Sequence, residues 1–175
     1  MTHPVLHLGH GASGSAASMA PYVDGLRRRG SDAAAVQLPG GSAERAVPAF
    51  LAQSGSGPAV AVGGQSFGGR VASLLAAKHA VGALVLFCYP LHRPGHPEEL
   101  RAAHWPEIAC PVLLLSGESD PFAQIDLLRR EVSNLRRHEL VTYPKAGHGL
   151  RGKALEDALD RVAAFLSKIA LQRGQ

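Results

Sequence analysis

The sequence predicts an α/β fold of about six mostly parallel strands, with helices on both faces of the sheet and no large cap. Three observations carry this. Short Val/Leu/Ala runs alternate with helical segments along the whole chain, as strands and crossovers do in a parallel sheet. The runs are continuous rather than alternating, which suits strands buried on both faces. The 175 residues are 46% hydrophobic and 18% charged, which excludes a disordered chain and fits one domain, residues 1–175, with a sizeable core.

The elements follow in order. Strands are expected at Pro4 to Leu8, Asp32 to Leu38, Pro58 to Val62, Gly82 to Phe87, Pro111 to Ser116 and Glu139 to Tyr143. Helices are expected at Ser15 to Arg29, Ser42 to Gln53, Phe67 to His79, Phe122 to Leu135 and Lys153 to Ala170. The last is the clearest: Leu155, Leu159, Val162, Leu166 and Ile169 recur at three- and four-residue steps, while Glu156, Asp160 and Lys168 point elsewhere. Leu91 to Pro106 breaks the alternation. Its prolines, histidines and charges predict a loop or short lid.

Composition removes several function classes. The longest apolar stretches, such as Val81 to Tyr89, fall far short of the roughly 20 residues that cross a bilayer. Met1 to Pro4 shows no secretory pattern, so a cytoplasmic location is expected. The net charge of +4 and pI near 9.4 raise the question of nucleic acid. The arginines responsible, Arg27 to Arg29 and Arg129, Arg130, Arg136 and Arg137, lie at helix ends and exits, where they read as solvated faces. Neither a nucleic-acid nor a membrane partner is expected, and no oligomeric state is specified. Cys88 and Cys110 fall near the end of one strand and before the start of the next. In adjacent parallel strands they stand on the order of 15 Å apart and should be free thiols.

Chemistry enters at Gly64-Gln65-Ser66-Phe67-Gly68, a G-x-S-x-G run where a strand passes into a helix. Small residues on both sides let strand and helix close around a serine held in a strained turn. A serine hydroxyl is a poor nucleophile unless a histidine, oriented by a carboxylate, takes its proton. The order Ser, then Asp or Glu, then His is met. Asp120 follows the fifth strand, with Glu118 as its rival, and His148 lies between two glycines after the sixth. A helix-capping role is the ordinary alternative for either acid. An acyl-transfer oxyanion needs two backbone N–H donors. Phe67 is expected to supply one, and Ala12, in Gly9-His10-Gly11-Ala12-Ser13-Gly14, the other, with Gly11 and Ser13 as alternatives. The same glycines fit a dinucleotide-binding G-x-G-x-x-G, but no acidic residue closes a second strand about twenty residues on. His92, His96 and His104 are separated by prolines rather than arrayed on one helix face, so no metal is expected.

With these motifs located, the chain resembles the α/β-hydrolase superfamily. More narrowly it resembles dienelactone-hydrolase-related small hydrolases, among them the testis-expressed and nonspecific-lethal-complex hydrolase-like proteins. Besides the runs at Gly9–Gly14 and Gly64–Arg70, the narrower likeness rests on Tyr89-Pro90-Leu91-His92-Arg93-Pro94-Gly95, Leu115–Asp120 and Ala146-Gly147-His148. The resemblance implies a minimal α/β-hydrolase fold with Ser66 as nucleophile, Asp120 as orienting acid and His148 as base. The expected activity is cofactor-free hydrolysis of small-molecule esters or thioesters with short acyl groups. Tyr89, Leu91 and Trp105 are expected to form an apolar substrate wall. The contrasting expectation is a catalytically silent, hydrolase-shaped interaction module.

Overall fold

A computed structural model describes residues 4–173. Six strands form one sheet: β1 (Val5–Gly9), β2 (Ala33–Val36), β3 (Gly57–Gln65), β4 (Val81–Phe87), β5 (Val112–Gly117) and β6 (His138–Tyr143). Their order is β2-β1-β3-β4-β5-β6, with every neighbouring pair parallel. Four helices lie in the crossovers, α1 (Ala20–Arg27), α2 (Ala43–Ser54), α3 (Phe67–Lys78) and α4 (Ile125–Glu131), the β4–β5 connection holds only a 3-10 turn, and α5 (Gly152–Arg173) follows β6.

Strand periodicity divides the core into two layers. Leu84 and Leu86 of β4 join Phe50 of α2, Val71 and Leu75 of α3 and Leu128 of α4 on one face. Ala83, Val85 and Phe87, the intervening residues, join Leu26 of α1 and Leu159, Val162 and Leu166 of α5 on the other. β4 is buried at all its positions, as its unbroken apolar run requires. The amphipathic α5 is tied to α1 through Arg29, which pairs with Glu156 at 2.7 Å and Asp160 at 2.6 Å.

Three boundaries differ from the sequence reading, each for a physical reason. The first helix begins as a 3-10 turn, Ala16–Met19, and becomes α-helical only at Ala20, with Pro21 in its first turn. α4 covers only part of Phe122 to Leu135, because Asp120 captures the backbone N–H of Phe122 in a tight turn. β3 runs on through Gly63 and Gly64, which look like strand breakers in sequence. They lie inside the strand because added methyls would strike the Val85 carbonyl of β4 and the backbone of α3.

The largest correction concerns residues 88–111. Tyr89, Leu91 and Trp105 are buried, at 1%, 0% and 0% exposure, in the layer beneath α3. The Tyr89 and Trp105 rings stand 5.1 Å apart. The segment is an irregular loop, exposed at residues 93–96, whose Tyr89, Leu91 and Trp105 side chains turn into the core and form no substrate wall. No helix among the described residues is long and apolar enough to cross a membrane.

Candidate active site

In a parallel sheet the loops at the C-terminal edge present ligand-binding groups, above all where strand order reverses. Here the order reverses between β1 and β3. β3 delivers Ser66 to that edge in a turn with φ 50° and ψ −116°. A side chain there is strained and held only by tight surroundings. The surroundings are tight because α3 lies almost against β1: a methyl on Gly68 would overlap the backbone of Gly9. Ser66 N donates to Phe87 O at 2.9 Å, pinning the turn to β4.

The loops after β5 and β6 are knit together. Glu118 N donates to Tyr143 O at 3.0 Å and Ser119 N to Ala146 O at 2.9 Å, while Gly117 leaves room for the Ala146 and Gly147 carbonyls. Asp120 and His148 meet as a result. His148 Nδ1 lies 2.9 and 2.8 Å from the two Asp120 carboxylate oxygens, and its Nε2 lies 2.7 Å from Ser66 Oγ. The Asp120 side chain is fully buried, and its Oδ1 also accepts from Phe122 N at 2.8 Å. The Phe122 ring stacks on the His148 imidazole with centroids 4.1 Å apart. Glu118, the rival acid, is turned away: it accepts from Thr142 Oγ1 at 2.7 Å and faces Arg129 at 3.4 Å. Cys88 lies near Asp120 but is no competing nucleophile, because burial first, and the Asp120 charge second, push its thiol up to about 12.

A model of the alpha/beta hydrolase domain matches residues 8–169, almost the whole chain. The chain belongs to the alpha/beta-hydrolase family. Solved structures agree on the fold. A monoacylglycerol lipase from Paleococcus ferrophilus superposes with TM-score 0.77 at 15% identity, over 97% of each chain. Est1E from Butyrivibrio proteoclasticus, solved with ferulic acid bound, gives 0.71 at 14% identity, over 97% of this chain and 88% of that one. A predicted CIB-like hydrolase from Thermoplasma acidophilum gives 0.73 at 16%, over 94% and 86%.

The cleft beside Ser66 measures about 440 Å³ and reaches Ala12 and Phe67. Gly11 and Ser13 line it as well. This alpha/beta hydrolase fixes its first loop through His10, which sequence reasoning passed over. The buried His10 donates from Nδ1 to Gly11 O at 2.7 Å and accepts at Nε2 from Leu38 N at 3.0 Å. Gly14 N then closes the turn onto Gly11 O at 3.0 Å, with Ala12 and Ser13 at its crest.

The remaining walls are Gln65, Arg70, Pro90, Arg101 and Phe122. Arg70 carries a sequence signal, since it lies four residues after the nucleophile on a predicted helix and so faces the same way. Arg101 carries none, because the segment holding it follows no period. The three histidines weighed as ligands have separate partners: His92 accepts from Gln124 N at 2.9 Å, His104 bonds Ser73 Oγ at 2.8 Å, and His96 is exposed. Ligand atoms of His96, Glu98 and Glu99 do come within 4.8 Å of one another. Arg93 already pairs with Glu99 there at 2.7 Å, at the exposed surface.

Proposed function

We propose that the protein is a serine hydrolase that cleaves small, short-chain esters or thioesters through an acyl-enzyme. The observation carrying this is the unbroken hydrogen-bond chain from Ser66 through His148 to the buried Asp120, with the serine on a strained turn at the mouth of a cleft.

The chemistry follows from the geometry. Asp120 holds the proton on His148 Nδ1, leaving Nε2 to accept the Ser66 proton as Oγ attacks the ester carbonyl. The oxyanion faces the backbone N–H groups of Phe67, at the N-terminus of α3, and Ala12, at the crest of the His10-anchored loop. His148 then returns its proton to the departing alcohol or thiol. Water then attacks the acyl carbon as it gives a proton to the same nitrogen, and the bond from the acyl carbon to Ser66 Oγ breaks as His148 hands that proton to Oγ, releasing the acid. No cofactor takes part. Stacked Phe122 keeps the imidazole in line with both partners.

Ser66→Ala is expected to lower kcat on p-nitrophenyl acetate by at least about 10³-fold and to abolish labelling by a fluorophosphonate probe. Unlabelled Ser66, or turnover unchanged in the variant, would refute the proposal. Either result, joined to recovery of a stable protein complex, would favour a hydrolase-shaped interaction module instead.

A further inference from the structure

Among the described residues, the lining of the cleft contains Arg70 and Arg101 and no acidic residue. Arg70 sits one helical turn beyond the nucleophile, its N–H donating to Ser66 O at 3.0 Å. Helical side chains lean toward the N-terminus, which carries this guanidinium toward Ser66. One of its Nη atoms pairs with the half-exposed Glu44 at 2.8 Å. Its Nε is buried and has no hydrogen-bond partner among the described residues. Arg101, partly buried, has no carboxylate within ion-pair distance among them.

Both arginines are held in place from behind. Buried Ser73 donates to the carbonyl of Arg70 at 2.7 Å, and buried Tyr89 donates to the carbonyl of Arg101 at 2.6 Å. The two hydroxyls stand 3.5 Å apart, and His104 Nε2 reaches Ser73 Oγ at 2.8 Å. This network fixes the main chain at both arginines, whose side chains line the cleft that also holds Ser66, close enough for the Arg70 charge to oppose that of Arg101. Burial first, and the Arg70 charge second, hold the Arg101 guanidinium below its ordinary range. A bound anion would relieve the repulsion and give Arg101 a counter-charge, and planar guanidinium groups suit a carboxylate in particular.

Resting on the hydrolase reading above, we infer that the substrates are esters bearing a carboxylate, which Arg70 and Arg101 bind while Ser66 attacks the ester carbonyl. The carboxylate lies either on the acyl side or on the leaving group, and the two placements are separable by experiment.

The test compares kcat/KM for 4-nitrophenyl hydrogen glutarate with that for neutral 4-nitrophenyl pentanoate, and for 3-carboxy-4-nitrophenyl acetate with that for 4-nitrophenyl acetate. One anionic member is expected to be preferred by at least about 10-fold, mostly through KM. That preference should fall by about 10-fold or more in Arg101→Gln, survive in Arg101→Lys, and shrink as salt is added. Equal or better use of both neutral esters, with ratios unmoved by Arg101→Gln, would overturn the inference and leave the hydrolase reading intact. A second measurement does not need turnover. Monomethyl glutarate titrated into Ser66→Ala by calorimetry should bind at least about 10-fold more weakly when Arg101→Gln is added. Equal affinity would overturn the anion site, whereas an unlabelled Ser66 with no hydrolysis of any ester would overturn only the hydrolase reading.

Discussion

Two stretches of this chain meet at the cleft, and they are built in opposite ways. The turn at Ser66 is a local construction of backbone against backbone, in which Gly64 and Gly68 carry no side chain because each lies against another main chain. The stretch between β4 and β5 has no regular period. It is fixed by side chains reaching to distant main chain: Tyr89 to Arg101 O and His92 to Gln124 N. The first holds the reacting atom. The second supplies the environment around it. Steric exclusion in a short glycine-rich run fixes a geometry that varies little with context, whereas long-range hydrogen bonds and burial fix one that depends on the rest of the fold.

If the β4–β5 stretch is anchored by the side chains it sends into the core, the largest of them must matter to stability. Trp105→Ala should cost about 3 to 5 kcal/mol, as truncation of a large buried aromatic does. The measurement is the shift in urea midpoint at constant m-value. A loss below about 1 kcal/mol, the size expected for a surface loop, would erase the contrast between the two stretches.

The same contrast explains what was legible in the sequence. About six mostly parallel strands could be read because each is a short apolar run bounded by turn residues. Ser66, Asp120 and His148 could be placed because chain order after successive strands nearly determines spatial order at the sheet edge. Tyr89, Leu91 and Trp105 could not be read correctly. Their composition announces burial, but the direction in which an aperiodic segment faces is decided by contacts with α3 and with the loop at Phe122. Arg101 is illegible for the same reason, whereas Arg70 stands in helical register with Ser66 and is legible from it. His10 is illegible because its anchoring partner, Leu38, lies 28 residues away, just past the end of β2.

The Ser66 turn can be probed without its chemistry. Ser66→Ala and Ser66→Gly both remove the nucleophile, so any stability difference between them belongs to the backbone. At φ 50° and ψ −116° the alanine keeps the strain and the glycine sheds it. Relief of roughly 1 to 3 kcal/mol, less the greater chain entropy of unfolded glycine, leaves Ser66→Gly about 1 kcal/mol the more stable of the two. Equal denaturation midpoints would mean that the surroundings do not enforce the turn, and the contrast would fail from the other side.

The smallest expected effect probes the support behind the arginines. His104 is pushed down to about 4, first by burial and then by the positive charge of Arg70, with Glu44 opposing. Its ring is therefore neutral in the folded protein at the pH where an unfolded histidine, near 6.5, takes up a proton. Between those values the unfolded state binds more protons, so stability rises with pH through the window and is lost as pH falls through it. Partial exposure of the ring keeps the effect to at most about 1 kcal/mol. Measured as the stability difference between pH 7 and pH 4.5, it should shrink in His104→Gln, whose side chain does not titrate and still reaches Ser73. An identical pH slope in the two proteins would show that neither burial nor the Arg70 charge depresses this ring. The network of Ser73, Tyr89 and His104 would then hold the segment in place without setting the positive field of the cleft.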